Sequence, residues 1–193
     1  MITNLLKFFN MTNKTIISVG AGGGQFIEYG RNASKVFAVD NDEPALEMLK
    51  ENLIKSGLTY KFTLIHSDFY LTNQKGDVVI FELSLHELSD PDFAIRHALT
   101  LAPNVLVLDH WINSDWVYFI DEKEKVTRSW AALEAFGFKK FRQYDTVEFF
   151  SNYEELYQKI KGQGDIAISR IEKFRDKKVF TIPLSYAIAL ISV

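Results

Sequence analysis

The chain has 193 residues, of which 47% are hydrophobic and 24% charged, with a formal net charge of −3. This length fits one domain with a substantial core, and we predict a single domain over residues 1–193. No long Lys/Arg block is present, so the composition favours neither nucleic acid nor an anionic membrane surface as a partner. The absence of cysteine excludes disulfides, thiolate metal sites and cysteine nucleophiles.

The N-terminal segment has too short an apolar run for a signal peptide, and no run approaches the roughly 18 apolar residues that span a bilayer. We therefore expect a cytoplasmic protein with no membrane partner.

Short β-rich runs alternate with helical segments, which is typical of a parallel α/β sheet. The predicted strands are residues 15–19, 35–40, 61–68, 77–82, 104–110, 140–150 and 185–193. A helix over 42–57 is indicated by Pro44 in its first turn and by Gly57 as its stop. A second helix over 90–103 has Asp90 as its predicted N-cap.

Two longer segments interrupt the alternation after the fifth and sixth strands. Residues 111–137 contain all three tryptophans and are predicted to form a loop and then a helix. Residues 151–175 open with a predicted capping box from Ser151 to Glu154 and break at Gly162 and Gly164. We predict that insertions at about 111–130 and 151–176 cover the substrate.

The stretch "TIISVGAGGGQF", residues 15–26, places four glycines within five positions directly after a β-branched run. Such a loop lets the backbone pass close to a ligand. A dinucleotide fingerprint counted from Gly20 would need its third glycine at Gln25, and a nucleoside triphosphate loop would need a lysine, which does not occur before Lys35. Both of these ligands are therefore disfavoured.

The pattern Ser18-x-Gly20-x-Gly22-x-Gly24, followed by Asp40 at the end of the second strand, resembles the class I S-adenosylmethionine-dependent methyltransferases of small-molecule type. "HSDFY" and "FELSLHEL" resemble later motifs of that family, and the resemblance covers about residues 14–193. It implies an α/β, Rossmann-like, seven-stranded, mostly parallel sheet with an antiparallel last strand and helices on both faces. It also implies S-adenosylmethionine as the cofactor and S-adenosylhomocysteine as the product.

The resemblance also implies roles for individual residues. Asp40 stands where the family binds the ribose, Asp68 where it binds the adenine amino group, and Phe69 beside the adenine ring. Glu82 and Leu83, with Ser84, stand near the sulfonium. The implied cofactor-binding set is Ser18, Gly20, Ala21, Gly22, Gly24, Gln25, Asp40, Asn41, Asp68, Phe69, Glu82 and Leu83.

Position 18 departs from the family pattern, which has an acidic residue two positions before the first glycine. Ser18 implies either a weaker grip on the methionine ammonium group or the transfer of that role to Glu28, Glu82 or a water molecule.

His86 is the predicted catalytic base, because it follows the fourth strand at the edge where open α/β sheets bind ligands and because histidine titrates near neutral pH. The alternative is that it shapes the pocket or caps the next helix. We predict no metal, although His110 and Asp109 with Glu82 or Glu87 offer ligands for a divalent cation; the Asp-Asn pair of the metal-dependent catechol type is missing. The predicted substrate-binding residues are His86, His110, Trp111, Trp116, Tyr118, Tyr153 and Tyr157.

A small molecule is the predicted acceptor. "FELSLHEL" lacks the proline that amino-group methyltransferases of nucleic acid commonly carry, and the cytosine-C5 type needs a cysteine. Two alternatives stay open, namely a non-catalytic cofactor-binding protein and a protein- or ribosome-directed methyltransferase. The sequence predicts no oligomeric state.

Overall fold

Seven strands form one sheet in the computed structural model, which describes residues 1–192. They are β1 (Thr15–Val19), β2 (Lys35–Asp40), β3 (Phe62–His66), β4 (Val78–Glu82), β5 (Asn104–His110), β6 (Lys140–Phe150) and β7 (Phe180–Ser192). The spatial order is β3-β2-β1-β4-β5-β7-β6. Strands β1 to β5 pair in parallel, whereas β7 is antiparallel to both β5 and β6. The predicted mostly parallel sheet with an antiparallel last strand is confirmed.

Helices connect the strands and cover both faces of the sheet. They are α1 (Ile2–Phe8), α2 (Glu43–Ser56), α3 (Pro91–Leu101), α4 (Asp115–Phe119), α5 (Lys123–Phe136), α6 (Tyr153–Ile160) and α7 (Asp165–Ile171). Helix α2 begins after Asp42, whose carboxylate accepts a hydrogen bond from the Ala45 amide, and it ends at Gly57 in the left-handed conformation. Asp90 caps α3 in the same way, as predicted.

Alternation of side chains along the strands divides the core into layers. Ile16, Ile80 and Leu106 pack with residues of α1, α4, α6 and α7 on one face of the sheet. Ile17 and Val79 pack with α3 and α5 on the other face. No helix within residues 1–192 has the length and apolar character needed to cross a membrane.

Strand β7 differs most from its prediction. It begins at Phe180, five residues before the predicted start at residue 185, and its predicted last residue, Val193, lies outside the described residues. Pro183 argues against a strand in the sequence. In the structure it pairs with Val147 of β6, while the pairing of β7 with β5 begins only at Tyr186. The proline is therefore tolerated where β7 has a single strand partner.

Other differences are local. Helix α1 is not predicted from the sequence, and β3 is shorter than the predicted 61–68. The predicted capping box is wrong by one residue, since Asn152 rather than Ser151 accepts from the amide of α6, at Glu155. The Glu155 carboxylate in turn accepts from the Ser151 amide. This pair of bonds resembles a capping box, except that Glu155 accepts from the residue before the N-cap.

The direction of β6 decides where the two long insertions lie. Since β7 is antiparallel to both β5 and β6, β6 runs in the same direction as β5. The chain therefore leaves β5 at residue 110 and β6 at residue 150 on the same edge of the sheet, the edge that also carries the glycine-rich loop after β1. Ligand sites of open α/β sheets lie at this carboxyl edge.

Candidate active site

The glycine-rich loop turns sharply after β1. Gly20, Gly22 and Gly24 have φ angles of +68°, +49° and +81°, in the left-handed region that disfavours other residues. A Cβ atom on Gly20 would lie 2.3 Å from Cβ of Ser84. The loop thus lies directly against the end of β4, at a separation that only glycine permits.

Asp40, at the end of β2, fixes this loop. Its Oδ2 accepts a hydrogen bond of 2.8 Å from the Gly22 amide, and its Oδ1 accepts one of 2.9 Å from the Asp42 amide. Two carboxylate oxygens offer about four acceptor positions. Asp40 can therefore hold the loop and still accept hydrogen bonds from a ligand.

Two adjoining cavities open at the carboxyl edge and share Gly20. The first, of about 440 Å³, is lined by Val19, Gly20, Val39, Asp40, Asn41, Ser67, Asp68, Phe69, Tyr70, Leu83, Ser84, Glu87, Leu88 and Ser89. The second, of about 400 Å³, is lined by Gly20, Ala21, Gly22, Gly23, Gln25, Phe26, Met48, Asn52 and Glu82. Every predicted cofactor-binding residue except Ser18 and Gly24 lines one of the two.

Asp68 and Phe69 each have a structural role beside their place in the cavity wall. The Asp68 carboxylate accepts from the Tyr70 amide and caps the short 3-10 turn Phe69–Leu71. The Phe69 ring is buried and packs edge-on against Phe81. The sequence did not single out Tyr70, which also lines the cavity.

Ser18 is fully buried and directs its hydroxyl to Glu82 rather than to the cavity. Its Oγ donates a hydrogen bond of 2.6 Å to Glu82 Oε1, and the Tyr29 hydroxyl donates to the same oxygen. Glu28 instead pairs with Arg31 at the surface. Of the two acids considered for the role missing at position 18, only Glu82 lies at the glycine-rich loop.

Burial raises the pKa of Glu82 to about 7, although the hydrogen bonds from Ser18 and Tyr29 act to lower it. The carboxyl group is thus poised between its neutral and ionised forms near neutral pH. A nearby cation would favour the ionised form.

Leu83 adopts a φ of +55°, which is uncommon for a residue with a side chain. Its amide donates to the Leu108 carbonyl of β5. This conformation ends β4 next to Glu82 and turns the chain along the cavity wall. Strained backbone of this kind is typical of functional sites.

His86 is buried among three carboxylates. Its Nδ1 lies 2.6 Å from Asp109 Oδ1, and its Nε2 lies 3.2 Å from Glu122 Oε2 and 3.4 Å from Glu87 Oε1. Burial acts to lower the pKa of His86, but Asp109, Glu122 and Glu87 outweigh it and raise that pKa to about 12. Both ring nitrogens of His86 thus face carboxylates, and its role as the catalytic base stays a prediction.

His110 lies beside this cluster, with its ring centroid 5.8 Å from that of His86. Burial lowers the pKa of His110 to about 4, so its imidazole is neutral at physiological pH. Its Nδ1 is buried and has no hydrogen-bond partner among residues 1–192.

Comparison with known proteins agrees with this geometry. Residues 17–108 match the family described as "Methyltransferase domain". A putative methyltransferase from Bacillus halodurans has a similar structure, with a TM-score of 0.70 and 14% identity, over 98% of this chain and 96% of that one. A SAM-dependent methyltransferase from Aquifex aeolicus is also similar, with a TM-score of 0.61 and 18% identity, over 98% of this chain and 88% of that one. Residues 17–108 of the chain thus match a methyltransferase domain, and the whole chain has the fold of S-adenosylmethionine-dependent methyltransferases. Its cofactor is S-adenosylmethionine.

A curated relative matches over a shorter range. Across 71 residues the chain is 35% identical to a tRNA (guanine(37)-N(1))-methyltransferase of Methanocaldococcus jannaschii. The match covers 37% of this chain and 21% of that protein, so the chain spans about a fifth of the relative's length.

The aromatic residues predicted to bind substrate do not meet in this methyltransferase. Trp111 packs against Trp130 and Phe141, while Trp116 is buried and stacks on Phe150. Trp130 is buried in the core. Neither Trp111 nor Trp116 lines the cofactor cavities.

The three predicted tyrosines lie apart from the cofactor cavities as well. Tyr118 is exposed beneath the Arg170 guanidinium. Tyr153 and Tyr157 stack on each other, and the Tyr153 hydroxyl donates to Glu172. The aromatic residues predicted to bind substrate are thus divided among separate packing contacts.

Several residues of the methyltransferase site gave no signal in the sequence. Asn52 lines the second cavity and donates from its side-chain amide to the Gly23 carbonyl. Tyr29 and Glu122 approach Glu82 and His86 from distant parts of the chain. Asn52 reaches the glycine-rich loop only through the packing of α2 beside it.

Proposed function

We propose that this protein transfers a methyl group from S-adenosylmethionine to a small-molecule acceptor. The observation that carries the proposal is the charge of the cavity. Its walls include the carboxylate of Glu87, which is not among the groups assigned to the cofactor, and the lining of both cavities contains no lysine or arginine. Such a surface disfavours a phosphate-rich acceptor, whose binding depends on cationic side chains, and favours a neutral or amine-bearing molecule.

The cofactor would be held by residues spread along the carboxyl edge. We assign the ribose hydroxyls to Asp40, whose position is fixed by two backbone amides. The adenine amino group is assigned to Asp68, beside the Phe69 ring. We assign the methionine ammonium group to Glu82, which lines the cavity at the glycine-rich loop and replaces the acid that position 18 lacks.

When bound, S-adenosylmethionine supplies a methyl group already activated on a sulfonium. The protein has to bring the acceptor atom into line with the methyl carbon and keep water out. Leu83 and Ser84 border the cavity where β4 ends and would shape this space. An acceptor that must lose a proton would need a base other than His86, because both ring nitrogens of His86 face carboxylates.

We also propose that the segments at 111–130 and 151–176 cover the acceptor within the single domain. Both leave the carboxyl edge, and α4 of the first segment packs against α7 of the second. Their shared core, formed by Trp116, Phe150 and Ile171 among others, makes them one packed layer rather than two free loops.

The second candidate is an RNA or protein acceptor. It is favoured by the match to a tRNA methyltransferase, which covers 37% of this chain. A non-catalytic cofactor-binding protein was also considered because of Ser18. The Ser18–Glu82 hydrogen bond argues against decay, since it supplies a carboxylate at the place where the serine lacks one.

Labelled methyl transfer distinguishes these functions. The protein is incubated with S-adenosylmethionine labelled in the methyl group and with cell extract separated into small molecules, RNA and protein. We expect label in the small-molecule fraction. Label confined to RNA or protein would contradict the acceptor class, and the absence of label from every fraction, with cofactor bound, would favour the non-catalytic alternative.

A further inference from the structure

The cluster around His86 contains groups that the methyl-transfer proposal does not use. The side chains of His86 and Glu122 are 3% and 4% exposed, although both carry ionisable groups. Glu87 is 46% exposed on its side chain and lines the first cavity. The cluster therefore extends from the protein interior to the cavity wall.

We propose that His86, Glu87 and Glu122 form a binding site for one divalent transition-metal ion, with Zn²⁺ as its probe. One ligand atom from each residue lies within 4.8 Å of the others. Imidazole nitrogen and carboxylate oxygen are a ligand set that suits such ions. The sequence predicts no metal because the Asp-Asn pair of the catechol type is missing, and Glu122, which is more than thirty positions from His86, carries no signal there.

The separations of the ligand atoms fit a metal ion. Nε2 of His86 lies 3.2 Å from Glu122 Oε2 and 3.4 Å from Glu87 Oε1. Four ligands at about 2.0–2.2 Å around a tetrahedral Zn²⁺ lie roughly 3.3 Å from one another. The two separations from Nε2 therefore match such a site, and the carboxylate oxygens of Glu87 and Glu122 lie within 4.8 Å of each other.

Asp109 supplies the outer support that metal-binding histidines usually have. It is fully buried, and its Oδ1 lies 2.6 Å from His86 Nδ1, the ring nitrogen that faces away from Glu87 and Glu122. Its Oδ2 accepts from the His86 amide at 3.3 Å. A carboxylate on the far nitrogen fixes the ring and leaves Nε2 for the metal.

The charges of the cluster favour an additional cation. Three carboxylates, those of Glu87, Asp109 and Glu122, meet only two cationic groups. The cations are His86 and Lys125, and the Lys125 ammonium lies 2.7 Å from Glu87 and 3.7 Å from Glu122. One Nε2 proton of His86 cannot satisfy two carboxylates equally. A divalent ion would displace this Nε2 proton to the solvent, bind Nε2 and contact both carboxylates, and Lys125 would compete with it for Glu87.

His110 adds an independent observation. Its side chain is more than nine-tenths buried, its Nδ1 has no partner within the described chain, and its ring lies beside that of His86. An orphaned buried nitrogen is unusual. Three protein ligands leave coordination positions open for water.

The test uses the full chain after chelator treatment and without cofactor, so its outcome does not depend on methyl transfer. Zn²⁺ is titrated by calorimetry, and Co²⁺ absorption reports the coordination. We expect one ion per chain. We also expect Glu122→Gln and His86→Gln to weaken Zn²⁺ binding at least about tenfold. Glu134→Gln, at an exposed position of α5, is the matched control and should leave binding unchanged.

The variant Lys125→Gln changes the edge of the cluster. We expect this variant to fold normally, because the lysine side chain is 43% exposed. Removing this competitor should strengthen Zn²⁺ binding. A dissociation constant above about 100 μM for the wild type, or equal binding by the wild type, Glu122→Gln and His86→Gln, would overturn the proposal. Weaker binding by Lys125→Gln would overturn it as well.

Discussion

Glu82 supplies from β4 a carboxylate that the family pattern supplies from β1. The family has its acid at the position of Ser18 on β1, whereas the carboxylate here comes from β4, the neighbouring strand, and the two side chains meet at 2.6 Å. The cavity thus keeps one carboxylate at the glycine-rich loop. Because Ser18 and Tyr29 both donate to it, its orientation is fixed before a ligand binds.

An exchange of residues between the strands tests this compensation. We expect Glu82→Gln to weaken S-adenosylhomocysteine binding about tenfold, because a charged partner of the ammonium group is lost. Ser18→Asp alone should lower the free energy of unfolding, because it places two carboxylates together in a buried site. The double variant Ser18→Asp, Glu82→Gln should bind more tightly than Glu82→Gln. Calorimetry and thermal unfolding measure both quantities, and no recovery in the double variant would contradict the assignment.

The titration of Glu82 gives a second prediction at this scale. Burial raises the pKa of Glu82 to about 7, and Tyr29 is the titratable group in contact with it. Only the ionised carboxyl group attracts the cofactor ammonium fully. Affinity for S-adenosylhomocysteine should therefore rise between about pH 6 and pH 8, and this rise should disappear in Glu82→Gln. A rise of equal size in the variant would assign it to another group.

The stability of the cofactor-free protein provides the control, because the contribution of Glu82 to the free energy of unfolding falls with rising pH whereas the affinity rises. The pKa of Glu82 is higher in the folded chain than the unperturbed value of 4.5. The folded chain therefore binds a proton that the unfolded chain releases. This contribution to the free energy of unfolding is present below about pH 4.5 and is lost as the pH rises through about 7. Glu82→Gln should flatten that part of the stability profile.

Among the elements of the fold, the glycine-rich loop is the one that depends most on single positions. Gly20 has a φ of +68°, and a Cβ atom placed on it would lie only 2.3 Å from Cβ of Ser84. Gly162, in contrast, has no heavy atom within 4 Å of such a Cβ atom. The two glycines therefore form a matched pair.

We expect Gly20→Ala to lower the free energy of unfolding by about 2 kcal/mol or more, because a strained φ and a steric overlap add. It should also weaken cofactor binding, because the loop must move away from β4. Gly162→Ala should change stability by less than about 0.5 kcal/mol. Urea unfolding measures both variants, and equal effects would mean that the loop does not lie against Ser84 as described.

The elements also show what the sequence can predict. The glycine-rich loop, the cap at Asp42 and the stop at Gly57 are determined by residues close in sequence, and their patterns are visible without a structure. The start of β7 was missed because its Pro183 is tolerated only where a strand partner is absent. That condition depends on the whole sheet.

The candidate site divides in the same way. The residues implied by short motifs after β1, β2, β3 and β4 come together at the cavities, apart from Ser18 and Gly24. The hydrogen bond between Ser18 and Glu82 joins residues 64 positions apart, and Glu122 approaches His86 from the start of α5. No local pattern predicts such pairs. The carboxylates around His86 and the separate packing contacts of the predicted substrate-binding aromatic residues are likewise visible only in the structure.

At the scale of the whole molecule, all of the proposed functional sites lie at one edge of the sheet. The cofactor cavities, the His86 cluster and the two long insertions all follow carboxyl ends of parallel strands. A separate cavity, between α1 and the first residues of β6, is lined by the basic side chains of Lys7, Lys140 and Arg142. The cytoplasmic location and the absence of a membrane partner remain predictions of the sequence.

Cofactor binding is the property on which the whole account depends. Calorimetry of the wild type and of Asp40→Ala with S-adenosylhomocysteine tests it most directly. We predict binding of one ligand per chain, weakened by about 1 to 3 kcal/mol in Asp40→Ala, which is roughly 5- to 150-fold. No binding by the folded wild type, or equal affinity of the two proteins, would contradict the account.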